Sequence, residues 1–169
     1  AGPLTTHLFS TQPFDAVEVC GGFHAHELDS NKLQTVRYYE ERAQGRTVPI
    51  VSVSDAHGCE TGSLFGWYYT VVFSVSNTLP DIINGIKDLY SVGVEALPDE
   101  TVRVHGPFRL VKYTLYLLRE VFPEHDELCF EEGRLMLAYL AGDHLAAEQL
   151  NMLKGRCAML YDRYWRGKG

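Results

Sequence analysis

Alternation and helical spacing divide the chain into distinct pieces. Phe14-Asp15-Ala16-Val17-Glu18-Val19-Cys20 sets Phe14, Ala16 and alternate residues beyond on one side, as a strand does, and Gly21-Gly22 stops it. Asp29 or Ser30 caps a helix expected over about residues 31–44. Leu33, Val36 and Tyr38 or Tyr39 recur along it at helical spacing, and Gly45 stands where a C-terminal glycine belongs. Thr47 to Ser54 is the second strand. Its apolar positions do not alternate cleanly with charged ones, which suits a strand buried on both faces in a parallel sheet. Trp67 to Val75, rich in Tyr, Val and Phe, is the third. Thr78 then caps a helix with Pro80 in its first turn and Ile82, Ile83, Ile86 and Leu89 along it, and Ser91 to Ala96 forms a short fourth strand. The order strand, helix, strand, strand, helix, strand predicts an α/β sheet with parallel neighbours joined by crossover helices.

The texture changes near residue 105, after which almost everything reads as helix. One helix covers about Phe108 to Val121 and ends before Pro123. A second runs from about Asp126 to Leu140, Gly142-Asp143 makes a break, and a third reaches about Trp165. Val111, Leu115 and Leu118, then Leu128, Leu135 and Tyr139, then Leu145, Leu150, Leu153 and Leu160 recur at three- and four-residue intervals, so each helix has a face to bury. The predicted organisation is a leader or linker over residues 1–13, a β/α domain over 14–105, and a three-helix appendage over 106–169.

Composition narrows the class. The chain has 169 residues and is 46% hydrophobic, which excludes wholesale disorder. Fifteen Lys and Arg against 22 Asp and Glu give a net charge of -7, and such a surface repels phosphate backbones, so no nucleic-acid partner is expected. No apolar run approaches the roughly 20 residues that cross a bilayer, so no membrane partner is expected either. Cys20, Cys59, Cys129 and Cys157 form no CxxC pair and offer no Cys–His pairing that spacing reveals. They read as buried or free thiols of a cytoplasmic protein.

Candidate chemistry concentrates in Ser54-Asp55-Ala56-His57-Gly58, directly after a buried strand. In extended chain, residues two apart share a side, so Asp55 and His57 can project together from the strand's carboxyl end, where α/β sheets place their active sites. A carboxylate and an imidazole there suit a divalent Zn, Mn or Fe ion, with Ser54 supporting a ligand from behind. A solvated loop or a helix-capping Asp is the plainer reading of the same tripeptide.

The spaced set Phe14-Asp15-Ala16-Val17-Glu18-Val19, then a helix, then Pro49 to His57 ending in Ser-Asp-Ala-His, then Tyr69-Thr70-Val71-Val72, then Leu79 to Ile86, covers roughly Phe14 to Glu95. It resembles the closing part of the polymerase and histidinol phosphatase (PHP) family of metal-dependent phosphoesterases. The resemblance implies a distorted (β/α) barrel carrying a multinuclear metal cluster at its carboxyl face. The family's final Asp and His, here Asp55 and His57, would ligate different metals of that cluster. It also implies hydrolysis of a small phosphorylated substrate by metal-held hydroxide. The family's amino-terminal H-x-H, its central Glu and its A-H-P turn have no counterpart before Phe14. The expectation is therefore a partial barrel of the PHP type with about three βα units of parallel strands, against about 250 residues for a complete eight-unit barrel. As a carboxyl-terminal part it would be inactive until its missing amino-terminal half, or a self-associating copy, completes the site.

His24 and His26, in Phe23-His24-Ala25-His26-Glu27, superficially copy the family's first motif but follow the wrong strand. They are possible additional rim ligands or exposed loop histidines. His105 reads as a linker residue, His7 as part of the leader, and His125 and His144 as helix starts. The acids from Glu124 to Glu132 suit the positive end of a helix dipole, and Arg134, Arg156, Arg163 and Arg166 suit helix-surface pairing. Two other classes compete with the phosphoesterase. One is a non-catalytic binding or scaffold module whose open sheet edge takes a partner. The other is a small metal-free enzyme using Asp55 with His57 as an acid–base pair.

Overall fold

The computed structural model of the chain describes residues 2–22, 28–57 and 64–166. It is a mixed α/β structure that divides into two compact units, residues 1–114 and 115–169.

In the first unit the stretch read as a leader contains helix α1 (Pro3–Thr11), with Pro3 in its first turn and Gln12 closing it in the left-handed region. Its Phe9 is buried, edge-on to Phe14 at 5.8 Å and under the Arg37 guanidinium at 5.1 Å. Strand β1 (Val17–Gly21) pairs in parallel with β2 (Ile50–Val53), with a bulge between Glu18 and Cys20. The helix that joins them is α2 (Leu28–Ala43). Strands β3 (Tyr68–Val72), β4 (Ser91–Glu95) and β5 (Arg103–His105) form a separate antiparallel sheet, with α3 (Leu79–Lys87) between β3 and β4. The sheet residues Val19, Cys20, Ile50 and Tyr68 make the core with Tyr38 of α2, and Trp67 and Leu97 pack against it.

Several expectations are corrected here. The strands are not all parallel, and no closed barrel forms among the described residues. Beyond β3 the backbone N–H of Phe73 donates to the carbonyl of Tyr90 at 2.8 Å, so α3 leaves and returns at the same end of the sheet. A parallel pair needs a crossover that carries the chain back along the strand. Between β2 and the second sheet, hydroxyls stand where a backbone ladder was expected. The Ser52 N–H donates to Thr70 Oγ1, which itself donates to the Ser52 carbonyl, both at 2.8 Å, and Ser91 Oγ donates to the Ile50 carbonyl at 2.7 Å. Gly93 permits this approach, because a Cβ there would overlap the Ser52 hydroxyl. His105, read as a linker residue, lies in β5 opposite Gly93.

Helix α2 also turns a different face inward. Leu33 and Val36 are 71% and 57% exposed, whereas Tyr38 is 2% exposed. Polar anchors set the rotation. Asn31 Oδ1 accepts from the Gly21 N–H and Asn31 Nδ2 donates to the Gly21 carbonyl, both at 2.8 Å, while Thr35 Oγ1 donates to the Val19 carbonyl at 3.1 Å. On the same buried side Glu41 is clasped by Arg37 and Arg46. These contacts hold its carboxyl below the ordinary range, the Arg46 hydrogen bond contributing most.

Helix α4 (Phe108–Tyr116) closes the first unit and passes into the second. In the second unit a π-helical segment (Leu117–Val121) precedes α5 (Phe122–Leu140). Pro123 therefore does not separate two helices. It occupies the first turn of α5, where its missing N–H costs nothing. The third expected helix is broken at Gly155, whose φ of 85° is left-handed, into α6 (Leu145–Leu153) and α7 (Arg156–Tyr161), followed by π-helical residues 162–166. Leu135, Ala146 and Leu153 form a small core. No helix among the described residues is long and apolar enough to cross a membrane.

Candidate metal centre

The carboxyl ends of β1 and β2 lie side by side because the two strands are parallel neighbours, with Gly21 opposite Val53. Pairing continues one residue further, since the Gly22 N–H donates to the Val53 carbonyl at 3.0 Å. Only glycine fits at position 22, because a Cβ would overlap the Ser54 carbonyl. The loop carrying Asp55 is thereby pressed against the end of β1. Asp55 itself adopts φ 51°, in the left-handed region that Asp tolerates better than most residues. The Ala56 N–H donates to Ser54 Oγ at 3.3 Å, so the Ser54 side chain tightens the turn between Asp55 and His57.

The structure adds Glu18, which sequence reasoning left out. Its carboxylate lies over Gly21, whose lack of a side chain makes the room. Burial first, and the charge of Asp55 second, push the Glu18 carboxyl up from its ordinary value. Among the described residues no Lys or Arg offsets that charge. An acid between Val17 and Val19 in a buried strand was the signal that could have flagged it. Glu18 and Asp55 are thus two carboxylates held near each other without a cation, and carboxylate with imidazole is a donor set that fits a divalent ion.

Asp55 and His57 are both exposed on the same loop. Among the described residues, no group of three His, Cys, Asp or Glu side chains that includes either one brings its ligand atoms within 4.8 Å of one another. Among the described residues, then, no closed ligand cage surrounds the rim. His24 and His26 lie outside the described residues.

A second cluster was not legible in the sequence. In the second unit His125 and Cys129 of α5 and Cys157 of α7 bring their ligand atoms within 4.8 Å of one another. His125 Nε2 lies 3.6 Å from Cys129 Sγ. The four-residue spacing on one helix face was its only local trace, and Cys157 reaches it only through tertiary packing. Elsewhere Cys20 is buried against Ser52 Oγ at 2.9 Å, and burial pushes its thiol up to about 11, which makes it a packing residue rather than a nucleophile. Compared with family models, curated proteins and solved structures, the chain finds no match.

Proposed function

We propose that the first unit is the closing part of a PHP-type, metal-dependent phosphoesterase acting on a small phosphate ester, with Asp55 and His57 as metal ligands. The observation that carries this reading is that the Glu18 carboxylate, lying over Gly21 at the carboxyl end of β1, feels the charge of Asp55 on the loop after the parallel strand β2. That is the rim at which β/α folds place their chemistry. Bound Zn, Mn or Fe would supply a water acidified to hydroxide and positive charge to meet phosphoryl oxygens. The chain's own residues have simpler tasks. Asp55 offers an exposed carboxylate, Ser54 fixes the turn that presents it, Gly22 keeps the loop against β1, and Glu18 adds a second negative group that favours cation entry. On this reading further ligands complete the set. The apolar stripe Leu33, Val36 and Tyr39 left exposed on α2 supports a covering segment or a second copy there.

The test is the polypeptide as encoded, with Asp55→Ala and His57→Ala combined. Metal-dependent hydrolysis of a phosphomonoester such as p-nitrophenyl phosphate should disappear, and unchanged turnover would overturn the assignment.

A further inference from the structure

We propose that His125, Cys129 and Cys157 hold a zinc ion that clasps α7 to α5. The site is separate from the Asp55 rim and does not depend on the phosphoesterase reading. Its geometry is close to what zinc requires. A sulfur at about 2.3 Å and a nitrogen at about 2.0 Å from one tetrahedral ion stand about 3.6 Å apart. His125 Nε2 and Cys129 Sγ are 3.6 Å apart, and all three ligand atoms fall within 4.8 Å of one another. Two thiolate sulfurs about 3.8 Å apart complete such a site, a separation inside the 4.8 Å within which all three ligand atoms lie.

The chemistry of the donors selects the metal. Two sulfurs and an imidazole favour zinc over the harder Mn or Mg ions. On binding, both thiol protons pass to solvent, and two thiolates then balance the dication. His125 Nδ1 lies 3.4 Å from an Asp126 carboxylate oxygen. Nδ1 also lies 3.8 Å from Cys129 Sγ; with Nδ1 turned to Asp126, the pair makes the carboxylate–histidine arrangement that would orient the imidazole and leave Nε2 to the metal. With three protein ligands, the fourth position is open to water.

The unit also has reason to need a clasp. Among the described residues of 115–169 the buried apolar side chains are few, namely Leu117, Val121, Leu135, Ala146, Leu153 and Leu160, while Phe130 and Leu140 are 76% and 79% exposed. Units of this size commonly recruit a metal or a disulfide to supplement a thin core. Both cysteines are free thiols here.

Cobalt titration of the purified, reduced chain tests the proposal. Cobalt should give a thiolate-to-metal charge-transfer band and tetrahedral visible bands that saturate at one equivalent and are displaced by zinc. The band should persist in Asp55→Ala with His57→Ala and vanish in Cys129→Ser with Cys157→Ser, circular dichroism confirming that the Ser variant folds. In the wild-type chain, zinc should slow alkylation of Cys129 and Cys157 about tenfold, which needs no variant. A folded chain with no charge-transfer band overturns the proposal. So does a band that survives the double Ser variant, equal alkylation with and without zinc, or a Cys129–Cys157 disulfide forming in place of metal uptake.

Discussion

Glu18 stands within β1 and Asp55 and His57 on the loop after β2, whereas His125, Cys129 and Cys157 stand on two helices. The first set is made of oxygen and imidazole donors, of which Glu18 feels the charge of Asp55, and they do not close into a cage among the described residues. The second is made of sulfur and imidazole donors already gathered at near-ligand distances. Helix backbone fixes the separation of residues four apart within narrow limits, so an i, i+4 pair arrives pre-aligned. A loop after a strand fixes where its residues leave the sheet, but the remaining donors must come from elsewhere in the fold. Local order therefore does not rank the two sites by catalytic importance. On the two proposals, it separates a site that one unit would build alone from one that would depend on its surroundings.

That contrast can be broken at several points. The largest effect belongs to Asp55→Ala with His57→Ala in the polypeptide as encoded. Loss of a mere supporting contact costs metal sites 10- to 100-fold, so loss of two ligands should lower metal-dependent turnover by about 100-fold or more. The cobalt–thiolate band of the second unit should not change. Gly22→Ala should come next. Its Cβ overlaps the Ser54 carbonyl, and relief by backbone movement should cost the first unit about 2 kcal/mol in urea unfolding. It should also move the Asp55 loop, visible as shifted amide resonances around Ser54, while resonances of α5 and α7 stay in place. Thr70→Val removes the hydroxyl that both accepts from and donates to Ser52, and should cost about 1 to 2 kcal/mol. An unchanged unfolding midpoint would show that the hydroxyl stitching between the two sheets is incidental.

The smallest effect is a pH slope. Burial holds the His105 imidazole below its ordinary value of 6.5, against the opposing pull of Glu95. The unfolded chain then binds more protons than the folded one as pH falls below 6.5. This contribution to stability is complete above that pH and is lost as pH falls from 6.5 through the folded value. Unfolding midpoints between pH about 7.5 and 5.5 should therefore decline in the wild-type chain. They should be flatter in His105→Gln. Equal slopes would remove His105 as their source.

Much of the first unit was legible because its signals are local. Val17 to Cys20 and Ile50 to Val53 are apolar enough to be strands in any context, and Thr78 with Pro80 starts a helix wherever it falls. The position of Asp55 and His57 on one loop after a strand was legible for the same reason, since they follow a strong strand two residues apart. Glu18 was hidden because its importance depends on the bulge and on Gly21, and neither acts at the level of pattern. Helix α1 was missed because its nine residues carry little periodicity beyond Phe9, and β5 because three residues are too few to show alternation.

By itself the sequence determined where strands and helices nucleate and which residue types end them, because backbone sterics and side-chain periodicity act over a few neighbouring positions. Tertiary structure alone decided strand direction after β3, the rotation of α2 about its axis, and the meeting of Cys157 with His125 and Cys129. Each depends on contacts between residues far apart in the chain. A hydroxyl on Ser52, an amide on Asn31 or a thiol on Cys157 acquires its role only once packing supplies the partner.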